Sequence, residues 1–236
     1  MAQVVDTRGP VTGTAVGKKY AMALSGIALM GYVFAHAIGN LKMYLGAEEI
    51  NHYGEFLREL LVPILPRTVT LWLLRIGLIG AAILHIHAAY SLTVMNRHAR
   101  AVKYQSPRDY QVANFASRTM RWTGIIVLLF VLFHLADFTW GWWNATGTDG
   151  TFVRGDVYGN VDRSLSRVPV AILYIVANIA LGVHLFHGSW SLFQSLGLNN
   201  PRFNIWRRWF AIGFSALIVV GNVSFPIAVL AGIVKV

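Results

Sequence analysis

The sequence predicts an all-α fold, an integral membrane bundle of five transmembrane helices. Of its 236 residues 56% are hydrophobic and only 13% charged, about half the charged fraction of a typical soluble domain. Mean hydropathy is +0.53. Apolar stretches near the ~20 residues needed to cross the hydrocarbon recur five times, at 20–45, 68–97, 119–143, 168–196 and 205–234, and the whole chain reads as a single membrane domain.

The first stretch ends where Glu48, Glu49, Glu55 and Glu59 are followed by Pro63 and Pro66, residues that stop one span and introduce the next. A polar segment from Asn96 to Arg118 divides the second span from the third. Asn144 to Arg167, rich in Gly and Asp, divides the third from the fourth, and the last connection, Leu198 to Arg207, is short. Tyr20, Tyr44, Trp72, Trp122, Trp140, Trp142, Trp143, Trp206 and Trp209 fall near span ends, as an aromatic belt does. Met1 to Pro10 carries no short apolar core with a small-residue cleavage site, so no removable signal peptide is expected. No internal repeat stands out.

The formal charge of +10 is accounted for by topology. Alternating the connections between two sides puts Arg8, Lys18, Lys19, Arg97, Arg100, Lys103, Arg108, Arg118, Arg121, Arg202, Arg207 and Arg208 on the N-terminal side, opposed only by Asp6 and Asp109. On the other side seven basic residues balance seven carboxylates. The positive-inside rule then places the N-terminus in the cytoplasm of a bacterial cytoplasmic membrane, and no nucleic acid is needed to explain the charge.

Cysteine is absent, which excludes disulfides, thiolate zinc sites and an iron–sulfur cluster held by this chain alone. Histidine is not absent. His36, His85, His87, His134, His184 and His187 all lie within spans, where ionisable groups are rare and face a bundle interior. At 1.5 Å of rise per residue, His36 and His134 lie about 24 and about 22 Å from the N-terminal side, level with each other. Spans two and four run the other way, so His85 and His184, about 17 and about 16 residues along them, form a second level near the N-terminal side. Two levelled pairs meet the requirement of two bis-histidine haems, each iron taking one neutral imidazole from either face. Gly26, Gly31, Gly39, Gly77, Gly80, Gly182 and Gly188 offer space for a macrocycle between helices. His87 points about 200° away from His85, so the two cannot share one iron. His187 shares a face with His184, as a rival ligand or a hydrogen-bond partner for a propionate or quinone; spacing leaves both choices open. Arg75 and Asp137 are buried charges that could pair with each other, with a propionate or with a quinone. Lys18, Lys19, Arg97, Arg118 and Arg121 crowd the cytoplasmic mouth, suited to propionates or anionic lipid.

Taken together, these residues resemble the five-helix, di-haem cytochrome b subunit of the succinate:quinone oxidoreductases, the succinate dehydrogenase and fumarate reductase family. The resemblance covers nearly the whole chain. It rests on Ser25-Gly26 followed by His36-Ala-Ile-Gly39-Asn40-Leu41, on Arg75 through His85 to Asn96-Arg97-His98-Ala99-Arg100, and on His184-Leu-Phe-His187-Gly188-Ser189-Trp190 ending at Leu196-Gly197. It implies His184 over His187 and, less firmly, His85 over His87, with His36 and His134 ligating a distal haem b and His85 and His184 a proximal one. It also implies an iron–sulfur subunit and a flavoprotein with FAD docked on the cytoplasmic face, and electrons passing through both haems to a quinone, expected to be menaquinone. Relatives that run as quinol:fumarate reductases carry Glu two residues before the span-four ligand; here Gly182 stands there, which favours succinate oxidation. A distal quinone site would draw on Asn40, Arg75, Asp137 and the Glu55/Glu59 stretch. Three other readings compete: a formate dehydrogenase or hydrogenase cytochrome b, a histidine-relay transporter or channel, and a haem-free quinone-binding anchor.

Overall fold

The computed structural model describes residues 13–99, 115–143, 152–198 and 200–235, with only the backbone of 115–118. Arg8, Arg100, Lys103, Arg108, Asp109 and Asp149, and the side chain of Arg118, lie outside the described residues.

Five helices are long and apolar enough to cross a membrane. They are α1 (Ala15–Asn40), α3 (Val69–His98), α4 (Phe115–Phe138), α6 (Val168–Ser195) and α7 (Pro201–Leu230), with α2 (Ala47–Glu59) and α5 (Val157–Leu165) as short amphipathic helices between them. No strand occurs among the described residues. In hydrocarbon each backbone donor must be met internally, which a helix does within one segment.

Local chemistry explains where the observed ends depart from the sequence reading. Thr14 accepts the Gly17 N–H at 3.0 Å and starts α1 five residues earlier than hydropathy suggests. Asn200 accepts from Arg202 N–H and Phe203 N–H, and Pro201 at the first position starts α7 four residues early. The third span ends at Phe138, ahead of the tryptophans at 140, 142 and 143, which extend the apolar run without extending the helix. All nine belt aromatics are exposed.

Hydropathy averaging missed α2 and α5 because their apolar faces are diluted by charge on the opposite faces. Asn51 on α2 joins them: its carbonyl accepts from Val157 N–H at 2.7 Å and Tyr158 N–H at 3.1 Å, and its amide donates to Asp156, the N-cap of α5. Gly39 lets Tyr53 of α2 lie against the end of α1, since a Cβ there would stand 2.7 Å from the Tyr53 ring. Gly54 likewise lies close to Val157.

α1 packs on α3, α4 on α6, and α6 on α7. The α6/α7 contact is the most extensive: Gly182 lies against Val219 and the Ser215 backbone, Ala171 and Ala177 of α6 and Ala211 and Ile218 of α7 are buried, and Asn222 donates to Asn178 at 2.9 Å. Small residues and an interhelical amide pair are what hold helices together where lipid removes the hydrophobic driving force. By contrast α3 and α4 bury little of their surface. The carriers of each levelled pair, α1 with α4 and α3 with α6, have at most marginal backbone contact.

Candidate functional site

Although their helices scarcely touch, the imidazoles meet. The ring centroids of His36 and His134 are 5.9 Å apart with planes at 87°, and those of His85 and His184 are 6.4 Å apart at 66°. Two metal–imidazole bonds of about 2 Å each, with about 1 Å from each nitrogen to its ring centre, set centroids about 6 Å apart. Both pairs match that spacing, so the donor set fits a six-coordinate haem iron. Along α1, Ser25 contacts the lower pair and His36 belongs to the upper; along α4, Thr123 and His134 stand in the same relation. Either interval puts the levels about 16 Å apart.

Each lower histidine is oriented through Nδ1. His85 Nδ1 lies 3.3 Å from Ser25 Oγ and 3.2 Å from the Met22 carbonyl. His184 Nδ1 lies 3.4 Å from Thr123 Oγ1 and meets the Met120 carbonyl. The two hydroxyls donate to carbonyls of their own helices, Ser25 to Ala21 and Met22, Thr123 to Thr119 and Met120. An Nδ1–H facing those oxygens leaves Nε2 with its lone pair, as a metal ligand requires. Gly26 and Gly124 lie beside these rings: a Cβ at either would come into van der Waals contact with the neighbouring imidazole Cε1, at 3.5 and 3.4 Å respectively. In the upper pair, His134 Nδ1 lies 3.4 Å from the Tyr174 hydroxyl, and Tyr32 stacks on His36 at 5.4 Å.

A repeat that does not stand out by eye runs through these contacts. Met22, Ser25, Gly26, Ile27, Tyr32 and His36 recur as Met120, Thr123, Gly124, Ile125, Phe130 and His134, each 98 residues later, and His85 recurs as His184 after 99. Equivalent residues make equivalent contacts. The chain holds two similar helix pairs, α1/α3 and α4/α6, and each histidine pair takes one ring from each half. Substitutions between similar residues hide this motif from inspection; sliding the sequence against itself by 98 reveals it. Thr123, missed by the sequence reading, emerges from that alignment; Tyr174, also missed, shows itself only through its contacts with His134 and Asp137.

Other expected residues sort differently. His87 is exposed, its ring nitrogen 3.5 Å from Ser91 Oγ, whereas His85 reaches His184. His187 is half-buried one turn from His184, whereas the ring set against His85 is that of His184. Gly31, Gly77 and Gly80 face open space, but Gly39 and Gly182 are filled by Tyr53 and Val219, so those two serve helix packing. The suggested Arg75–Asp137 pair does not form. Asp137 is fully buried and accepts from Ser164 at 2.6 Å, Tyr174 at 2.9 Å and Arg167 at 3.4 Å. Arg75 is exposed, its guanidinium 5.0 Å above the Trp72 ring, and makes no ion pair among the described residues. Asn40 is half-buried at the end of α1 and makes no side-chain cap bond. Glu55 is held by Arg67 and by Arg58, whose hydrogen bonds keep it below the usual carboxylate range; Glu59 also faces Arg67, at 3.8 Å.

Among the described residues no three His, Asp or Glu side chains converge as a metal ion bound by protein alone would require. A haem needs two, because its porphyrin supplies the other four donors. No family model, curated protein or solved structure matches the chain.

Proposed function

We propose that this chain is the membrane anchor and electron-transfer subunit of a succinate:quinone oxidoreductase, carrying two bis-histidine b haems between a cytoplasmic iron–sulfur subunit and a membrane quinone. The observation that carries the reading is the pair of cross-helix imidazole contacts at 5.9 and 6.4 Å between helices that otherwise stand apart. His36 and His134 would hold the outer group, and His85 and His184 the inner. Ser25 and Thr123 orient the inner rings. Bound there, haem supplies reversible one-electron carriage with no open coordination position, which favours electron transfer over oxygen chemistry. The chain contributes no dicarboxylate chemistry; a flavoprotein with FAD and a subunit with iron–sulfur clusters supply it. The count of basic side chains supports a cytoplasmic N-terminus in a bacterial inner membrane. Arg75, exposed at the outer end of α3 beside Trp72 and without a carboxylate, is the best-supplied donor for a quinone carbonyl, with menaquinone as the expected substrate.

Gly182 bears on direction. Quinol-oxidising relatives carry Glu at that position, and here the position is closed against Val219 of α7, leaving no room for a proton-carrying side chain. That favours succinate oxidation over quinol:fumarate reduction. The test is the reduced-minus-oxidised absorbance spectrum of the purified complex, where two b-type haems per chain are expected. One haem would dismiss one ligand pair, and none would leave a haem-free quinone-binding anchor.

A further inference from the structure

The two halves differ most tellingly behind one imidazole. Arg75 in the first half is replaced by Tyr174 in the second, 99 residues on, and Gly39 by Asp137, 98 residues on. Both replacements fall beside His134, and together they build a network with no counterpart among the described residues of the first half. Tyr174 donates its hydroxyl proton to Asp137 Oδ2 at 2.9 Å, which leaves the phenol oxygen to accept from His134 Nδ1–H at 3.4 Å. Behind it, Asp137 accepts from Ser164 at 2.6 Å and is paired with Arg167 at 3.4 Å, and Arg167 is itself tied to the Trp143 carbonyl at 2.9 Å. Asp137 and Ser164 are wholly buried and Tyr174 nearly so. Phe130, Phe133 and Phe138 pack around the Tyr174 ring. Among the described residues the Nδ1 atoms of the inner rings, in contrast, meet neutral hydroxyls and carbonyls.

Resting on the reading of His134 as an axial ligand, we propose that Tyr174 and Asp137 are positioning residues that lock His134 as its Nδ1–H tautomer and tune the reduction potential of the outer haem alone. A ligand imidazole whose far N–H is held by an acceptor backed by a carboxylate is the more basic ligand, and a more basic ligand favours the oxidised metal. Removing the Tyr174 hydroxyl withdraws that support. The outer haem then becomes easier to reduce, while the inner haem, about 16 Å away and held by a separate set of partners, does not change. The bond is present in both redox states, so the potential reads only its difference in strength between them; a whole net hydrogen bond, roughly a tenfold change in the ratio of reduced to oxidised haem or about 59 mV for a one-electron couple, is the upper bound of the shift. Asp137→Asn removes the negative charge and leaves the Arg167 cation, so it shifts the ratio in the same direction and further.

The experiment is a redox titration of the haem absorbance in the intact complex, with His134→Ala assigning the outer component. Tyr174→Phe is expected to raise the outer potential and leave the inner one in place. It should also shift the outer haem's low-temperature EPR signal, which depends on the near-perpendicular ring planes. Unchanged potentials and an unchanged EPR signal with both haems bound overturn the proposal, as does an equal shift of both components. Should Tyr174→Phe fail to retain the outer haem, Asp137→Asn carries the test, since it keeps the phenol in place; an unmoved outer potential there overturns the proposal equally. Absence of haem from the unsubstituted complex would instead sink the functional reading itself, a result seen before any variant is made.

Discussion

Replacing Gly182 by Ala tests how closely α6 and α7 are fitted, because the two helices meet there through Gly182 and Val219. On an isolated helix Gly→Ala is favourable by about 1 kcal/mol. In this chain the new Cβ collides with Val219 Cγ2. Valine in a helix has one strongly preferred χ1 rotamer, so the methyl cannot swing clear cheaply. Overpacking of a fitted interface costs about 1–3 kcal/mol, and the net effect is a destabilisation on the order of 1 kcal/mol, or a fall of roughly 2–4 °C in melting temperature for a chain of this size. Val219→Ala removes the obstacle. In that background Gly182→Ala should become neutral or stabilising, so the sign of its effect reverses, and the double-mutant coupling should exceed about 1 kcal/mol. Thermal unfolding of the detergent-solubilised protein, followed by helical circular dichroism, measures all four corners of the cycle. Equal melting shifts in both backgrounds would refute the packing argument. They would also remove the steric reason given for the missing carboxylate at this position.

His134→Ala should abolish only the outer haem and His184→Ala only the inner, read as half the wild-type b-haem absorbance, because each pair draws on its own rings and partners. Asn51→Ala removes the acceptor for Val157 N–H and Tyr158 N–H; a loss of about 1–2 kcal/mol is expected, with faster amide exchange across α5 by hydrogen–deuterium mass spectrometry. Stability should also fall in acid. Burial alone would raise Asp156, but the Gly159 N–H, Asn51 and Arg163 outweigh it and hold the carboxyl below its ordinary value. A group depressed in the folded state adds stability that is complete above its unfolded value of about 3.9 and is lost as the pH falls through the folded one. Asp156→Asn should flatten this acid limb, measured as melting temperature between about pH 5 and about pH 2.

Much of this protein follows from one-dimensional facts. Apolar run length determines five crossings, because hydrocarbon thickness and helical rise are constants. Histidine depth along each run determines the two levels for the same reason, so the pairing of His36 with His134 and of His85 with His184 was legible before any contact was known. The choice between His85 and His87 was not legible from spacing alone. It depends on helix rotation, which packing sets, and the structure turns His85 toward His184 and leaves His87 exposed. Tertiary structure alone decided where the other polar groups went. Arg75 and Asp137 look alike as buried charges in a linear reading, yet one is exposed beside a tryptophan and the other is enclosed by Tyr174, Ser164 and Arg167. The glycines divide in the same manner, with Gly39 and Gly182 filled by neighbouring side chains and Gly31, Gly77 and Gly80 left open. Depth is a property of a residue's place in its own helix, whereas partnership depends on the rotation of two helices about their axes, and only packing sets that rotation.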